Sequence, residues 1–189
     1  MKIQKTKKIL VLNICKNPLH YFEFVKPIED ILKKEKVDYQ IRHYNEIKKN
    51  DLVNYEKVII PGTSLKDNSY LEDIDSFSWI KTFKKPILGI CAGMQIIGLV
   101  FEGKIKKETK KEIGFYYETF NKNFLNITLG EQEVYHLHKN YISLPKEFEK
   151  FTNSKIPQAI KHKSEEIYGV LFHPEVRQKD LIKEFIRNY

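Results

Sequence analysis

The sequence predicts an α/β fold with a mostly parallel central sheet, helices on both faces and a small antiparallel strand region. Three observations carry this. Short β-like apolar runs alternate with segments of helical periodicity along the first half of the chain, the βαβ signature. Two of the later apolar runs end abruptly at residues of reactive chemistry, Cys91 and His173. The 189 residues suffice for one domain, 1–189, whose sheet is covered on both sides.

The elements follow in order. Ile9 to Asn13 reads as the first strand, and Tyr21, Phe24, Ile28, Ile31 and Leu32 follow at helical spacing. Pro27 interrupts that pattern, so the helix begins near it or kinks there. Tyr39 to Tyr44 and Val58 to Ile60 are the next strands, and the latter meets a Pro61-Gly62 turn. Tyr70 to Phe83 reads as a helix before a strand over Pro86 to Ile90. Ile105 to Thr119, Val134 to His138 and Gln158 to Lys163 read as short, alternating, antiparallel strands. Another buried strand lies in the run Ile167 to Glu175, and Lys179 to Tyr189 closes the chain as an amphipathic helix through Leu181, Ile182, Phe185 and Ile186.

The run Pro86-Ile-Leu-Gly-Ile-Cys-Ala-Gly-Met-Gln95 switches from strand to helix at Cys91, the layout of a nucleophile elbow. An isolated cysteine in an apolar run is ordinarily a core residue. Gly89 and Gly93, two residues either side, argue otherwise, because glycine weakens strands and helices by about 0.5–1 kcal/mol where the backbone does not need it. At a helix N-terminus the unpaired N–H groups and the dipole favour thiolate.

A second signal lies downstream, where the strand in Ile167-Tyr-Gly-Val-Leu-Phe-His-Pro-Glu175 delivers His173 and Glu175 around a rigid Pro174. An imidazole can take the thiol proton and return it to a leaving amine, while a carboxylate fixes its tautomer. Cys91, His173 and Glu175 are therefore the candidate catalytic triad. Thiolate attack on an amide creates an oxyanion, whose natural donors are the backbone N–H of Ala92 and one in the Gly62-Thr63 turn. Thr63 flips its peptide less freely than glycine, so this half of the hole is expected to complete when a partner docks. Gln95, one turn beyond Cys91, can face the same pocket.

The pattern Gly89-x-Cys91-x-Gly93-x-Gln95 followed by His173-Pro-Glu175 resembles the class I (triad) glutamine amidotransferases, and the likeness runs over nearly the whole chain. The resemblance implies a flavodoxin-like fold, hydrolysis of the glutamine side-chain amide, and ammonia passed to a synthase. It implies oxyanion donors at Ala92 and the Gly62-Thr63 turn, and contact of Gln95 with bound glutamine. Gln158-Ala-Ile-Lys-His162, Phe172-His-Pro-Glu-Val176 and His138-Lys-Asn140 ahead of Leu144-Pro145 are most similar to the stand-alone amidotransferase subunit of archaeal GMP synthases. In those proteins a histidine and an aspartate two residues on contribute to coupling with the synthetase; here Asn140 replaces the aspartate.

The resemblance thus implies L-glutamine as substrate and a separate ATP-pyrophosphatase subunit, carrying ATP and Mg, as partner. No cofactor is expected in this chain, which has no Gly-rich phosphate loop. The Pro61-Gly62-Thr63-Ser64 turn departs from the usual Gly-Gly-Pro of GMP synthases and resembles more closely the amidotransferases of imidazole glycerol phosphate synthase and of the pyridoxal phosphate pathway. An amidotransferase serving imidazole glycerol phosphate synthase or an uncharacterised synthase is the alternative; a non-catalytic scaffold of the same fold is the alternative of another class.

Charge and cysteine usage bound the remaining classes. The formal net charge is +8, with lysine clusters at Lys5 to Lys8, Lys104 to Lys111 and Lys161 to Lys163. Acidic residues interleave with them and no nucleic-acid motif occurs, so they read as solvated faces rather than a nucleic-acid site. His136 and His138 share a strand face, but no cysteine or carboxylate stands at ligand spacing to complete a site, so no metal is expected. The basic Met1 to Lys8 segment has no signal-peptide core after it, and no apolar stretch approaches the roughly 20 residues of a membrane span. With two cysteines, one of them a candidate nucleophile, a reducing cytoplasm is the expected location and no membrane partner is expected.

Overall fold

The computed structural model describes residues 8–188, without the side chains of 108–110. Lys5 to Lys7, Tyr189 and that stretch of the Lys104 to Lys111 cluster lie outside the described residues. The strands are β1 (Lys8–Asn13), β2 (Tyr39–His43), β3 (Tyr55–Ile60), β4 (Ile87–Ile90), β5 (Ile105–Phe120), β6 (Gly130–Ile142), β7 (Phe148–Lys150), β8 (Ala159–His162) and β9 (Ile167–Val170). The helices are α1 (Lys26–Lys34), α2 (Ser69–Glu72), α3 (Ala92–Val100) and α4 (Lys179–Asn188).

Seven strands form one sheet in the order β2-β1-β3-β4-β9-β8-β7. β2, β1, β3, β4 and β9 run parallel, and β8 and β7 extend the sheet antiparallel. β5 and β6 pair as a separate antiparallel hairpin. The parallel strands are apolar on both faces because both are covered. Ile9 and Val11 point towards Phe24, Ile28 and Leu32 beside α1 and Leu181 and Phe185 of α4. Leu10, Leu12, Val58 and Ile60 point to the opposite layer, with Met94 and Ile97 of α3 and Phe77 and Ile80. Each such side chain, fully buried, contributes about 1.5–3 kcal/mol.

Pro27 falls in the first turn of α1, at the junction with a π-helical turn over Tyr21–Val25 that leads straight into it. Two expectations are corrected. The segment read as one helix from Tyr70 to Phe83 is the four-residue α2, then a 3₁₀ stretch over Ile74–Lys81. Asp73, Asp75, Ser76 and Ser78 cluster there, residue types whose side chains compete for backbone groups, and Ser76 N donates to Asp73 O with i→i+3 spacing. The antiparallel strands expected to be short include a hairpin of 16 and 13 residues that leaves the main sheet. Its outer face exposes Ile113, Phe115 and Tyr117. No helix among the described residues is long and apolar enough to cross a membrane.

Candidate active site

Three parallel strands end side by side and release the candidate residues at one edge of the sheet, the edge where open α/β folds place their sites. β3 ends at Ile60 and runs into Gly62 and Thr63; β4 ends at Ile90 and releases Cys91; β9 leads through Leu171 and Phe172 to His173. Cys91 N donates to Val170 O (2.7 Å), tying the elbow to β9.

Cys91 has φ 51° and ψ −105°, a left-handed backbone for a residue with a Cβ, costing about 1–3 kcal/mol. The flanking glycines make this turn possible by close approach. A Cβ on Gly93 would sit 2.0 Å from the Ile60 carbonyl oxygen, and one on Gly89 would sit 2.6 Å from Gly93 backbone atoms. α3 can therefore pack against β3 only with glycine at 93.

His173 Nδ1 and Glu175 Oε1 lie 2.6 Å apart, with both side chains buried. Burial opposes the imidazolium, but the adjacent Glu175 carboxylate and Cys91 outweigh it and hold the His173 pKa well above the usual imidazole value. His173 N donates to Tyr135 O (2.8 Å), so the hairpin positions the histidine. Cys91 Sγ donates to Leu137 O (3.6 Å) of the same strand. Gly62 packs closely against both residues: a Cβ there would fall 2.8 Å from His173 Cε1 and 3.4 Å from Cys91 Cβ.

The Gly62-Thr63 turn is clamped by Asp67. Its Oδ2 accepts from Thr63 Oγ1 and Lys16 N, both at 2.8 Å, and its Oδ1 from Ser69 Oγ at 2.8 Å. Burial pushes the Asp67 carboxyl pKa upward, but these donors prevail and hold it below the usual value. Ala92 opens α3, so its N–H is among the first-turn donors without an intrahelical acceptor. Gln95 faces the Cys91 pocket, which Thr63, Tyr70, Ala92 and His138 also line. Tyr70 donates to Gln95 Oε1 (2.7 Å), and Gln95 Nε2 donates to Asn140 O (3.1 Å). Tyr70, Asp67 and the carbonyls of Leu137 and Asn140 escape a reading of the sequence, since nothing in local spacing marks a tyrosine in an apolar segment or a carbonyl in a strand.

The second thiol, Cys15, lies below the Gly62 turn with Sγ 3.9 Å from Gly62 O, and burial pushes its pKa up to about 11. His136 and His138 are each 1 % exposed. Burial lowers both imidazoles; His138 falls to about 3, with His136 and His173 adding to the effect. Glu131 and Glu133 fall on the opposite face of the same strand, and the carboxylate on the histidine face is supplied across the hairpin, where Glu112 pairs with His138. Spacing along one strand cannot reveal a ligand delivered by its partner.

These features define an α/β protein built on a cysteine elbow, with a buried His-Glu pair delivered to the thiol from the adjacent strand. The model of the glutamine amidotransferase class-I family matches residues 20–189, and the chain belongs to that family. It is 37 % identical over 112 residues to a glutamine-hydrolysing GMP synthase subunit of Methanocaldococcus jannaschii, covering 56 % of this chain and 59 % of that one. It is 34 % identical over 160 residues to the glutamine-hydrolysing GMP synthase of Staphylococcus saprophyticus, covering 80 % of this chain and 30 % of the other. The chain thus spans less than two thirds of the length of these curated relatives. Among solved structures, a protein named as a candidate GMP synthase subunit from Thermoplasma acidophilum superposes with a TM-score of 0.83 at 26 % identity, over 96 % of this chain and 92 % of that one. A glutamine amidotransferase of Thermotoga maritima shares the fold, with a TM-score of 0.72 at 19 % identity, over 97 % and 82 % of the two chains.

Proposed function

We propose that this chain hydrolyses L-glutamine to glutamate and ammonia and supplies the ammonia to a GMP synthase ATP-pyrophosphatase subunit, which carries ATP and Mg and aminates XMP. The observation that carries the chemistry is the buried His173–Glu175 pair, 2.6 Å apart, facing a cysteine on a strained elbow. Cys91 Sγ, its proton held by His173, attacks the side-chain amide carbon, and the resulting oxyanion is met by N–H groups of Ala92 and the Gly62-Thr63 turn. The C–N bond breaks as His173 returns a proton to nitrogen, releasing ammonia and leaving a thioester on Cys91. Water then attacks the thioester, His173 accepts its proton, and glutamate departs with the thiol restored. The Thr63–Asp67 hydrogen bond holds one side of the oxyanion turn, and docking of the synthase completes it.

Relatives named as separate glutamine-hydrolysing subunits of GMP synthase support the choice of synthase. The test is intact mass after incubation with an electrophilic glutamine analogue, on wild type and Cys91→Ala, with and without the ATP-pyrophosphatase subunit. An adduct on wild type alone is the expected result, stronger with the partner. An adduct on both proteins, or on neither even with the partner, overturns the glutaminase reading. Glutamine-dependent GMP formation by the mixed subunits tests the acceptor; labelling without it would assign the chain to another synthase.

A further inference from the structure

The inner face of the β5–β6 hairpin carries a side-chain cluster that glutamine hydrolysis does not use. Strand register puts Glu112 directly opposite His138, with His136 two residues along on the same face. Glu112 Oε2 lies 2.7 Å from His136 Nδ1 and 3.5 Å from His138 Nε2. One donor atom from each of the three falls within 4.8 Å of the others. Tyr116 stacks on His136 with centroids 4.7 Å apart, fixing that ring.

We propose that Glu112, His136 and His138 form a binding site for a divalent transition-metal ion of the zinc class. Two imidazoles and one carboxylate are the donor set of open zinc sites, which keep a fourth position for water or another ligand. Magnesium and calcium select all-oxygen sites instead. Around a tetrahedral ion with bonds of about 2.0–2.2 Å the ligand atoms stand about 3.3–3.6 Å apart. The Glu112–His138 separation of 3.5 Å already matches, and the 2.7 Å contact to His136 has to open by less than an ångström. Glu112 is the outermost of the three, its side chain 31 % exposed, and gives an ion its entry path. His138 also lines the Cys91 pocket, so an ion held here would fix one wall of that pocket.

The test is calorimetric titration of Zn²⁺, with Co²⁺ ligand-field absorption as a second readout, on wild type, Cys91→Ala, Glu112→Gln and His136→Gln, each first checked for cooperative unfolding in chelator. One ion is expected on wild type and Cys91→Ala, with affinity lowered at least about 10–100-fold in the other two, the loss that even outer partners of metal ligands produce. X-ray absorption of the zinc-loaded wild type should show nitrogen and oxygen neighbours without sulfur, a readout that needs no variant to fold. No ion on wild type, unchanged affinity in Glu112→Gln, or loss of binding in Cys91→Ala would each overturn the proposal. The last would place the ion on the elbow thiol.

Discussion

The difference between Gly93 and alanine is one methyl group placed 2.0 Å from a backbone oxygen, with no side chain able to yield. Gly93→Ala must push α3 away from β3, and a loss of about 1–3 kcal/mol in denaturant unfolding is expected, the usual cost of overpacking. Labelling of Cys91 by a glutamine analogue should fall with it, because the elbow moves too. Glu175→Gln acts on charge instead of shape. It removes the carboxylate that outweighs burial at His173, so the histidine pKa, read by NMR titration, should drop from above the usual imidazole range. A pKa unchanged by the substitution would mean that Glu175 orients the ring without setting its charge. Most of this site was legible as residue types: a cysteine between two glycines, then His-Pro-Glu, each imposed by local backbone geometry. The side chains and carbonyls that hold it, such as Tyr70 on Gln95 and Leu137 O on Cys91, were not, because they come from segments distant in the chain.

Among the elements, α1 and its π-helical lead-in are joined to β2 by one carboxylate. Glu29 accepts from Tyr21 and Tyr39 hydroxyls, both at 2.9 Å, and from Lys33 Nζ at 2.7 Å. The Lys33 contact, helped by the two tyrosines, lowers the Glu29 pKa from an ordinary 4.5 to about 2. A depressed carboxylate stabilises the fold fully above its unfolded value and loses that contribution as pH falls through the folded one. Glu29→Gln should therefore be less stable than wild type at neutral pH in urea unfolding, with the gap closing between pH 4.5 and about 2. Elements whose periodicity reflects burial on the parallel sheet, β1, β3, β4 and α4, could be read from sequence. The 3₁₀ stretch over Ile74–Lys81 has apolar residues at spacings that a helix would share, and local Asp and Ser decide between them. The hairpin was recognisable as alternating strands, but its length and its departure from the sheet are set by what it covers. The pairing of Glu112 with two histidines is a property of register, which one strand's sequence does not contain.

At the scale of the whole molecule, strand order is what makes the site. β3, β4 and β9 are neighbours only because the chain crosses the sheet between them, and their adjacent ends bring Gly62, Cys91 and His173 together from separate stretches of sequence. The hairpin then closes over the thiol from the far side, presenting carbonyl acceptors without adding a strand to the main sheet. Position 91 sits at the centre of this arrangement, and its φ 51° and ψ −105° suit glycine and penalise every residue with a Cβ. Replacing Cys91 by glycine relieves about 1–3 kcal/mol of strain against about 0.5–1 kcal/mol of added chain entropy. Cys91→Gly should then melt higher than Cys91→Ala, which keeps the strain, and a reversed order of melting temperatures would show that the elbow is relaxed. Heat resistance alone would favour glycine here; a cysteine at this position leaves the molecule with a standing thermodynamic deficit, a trade-off that the proposed chemistry would explain.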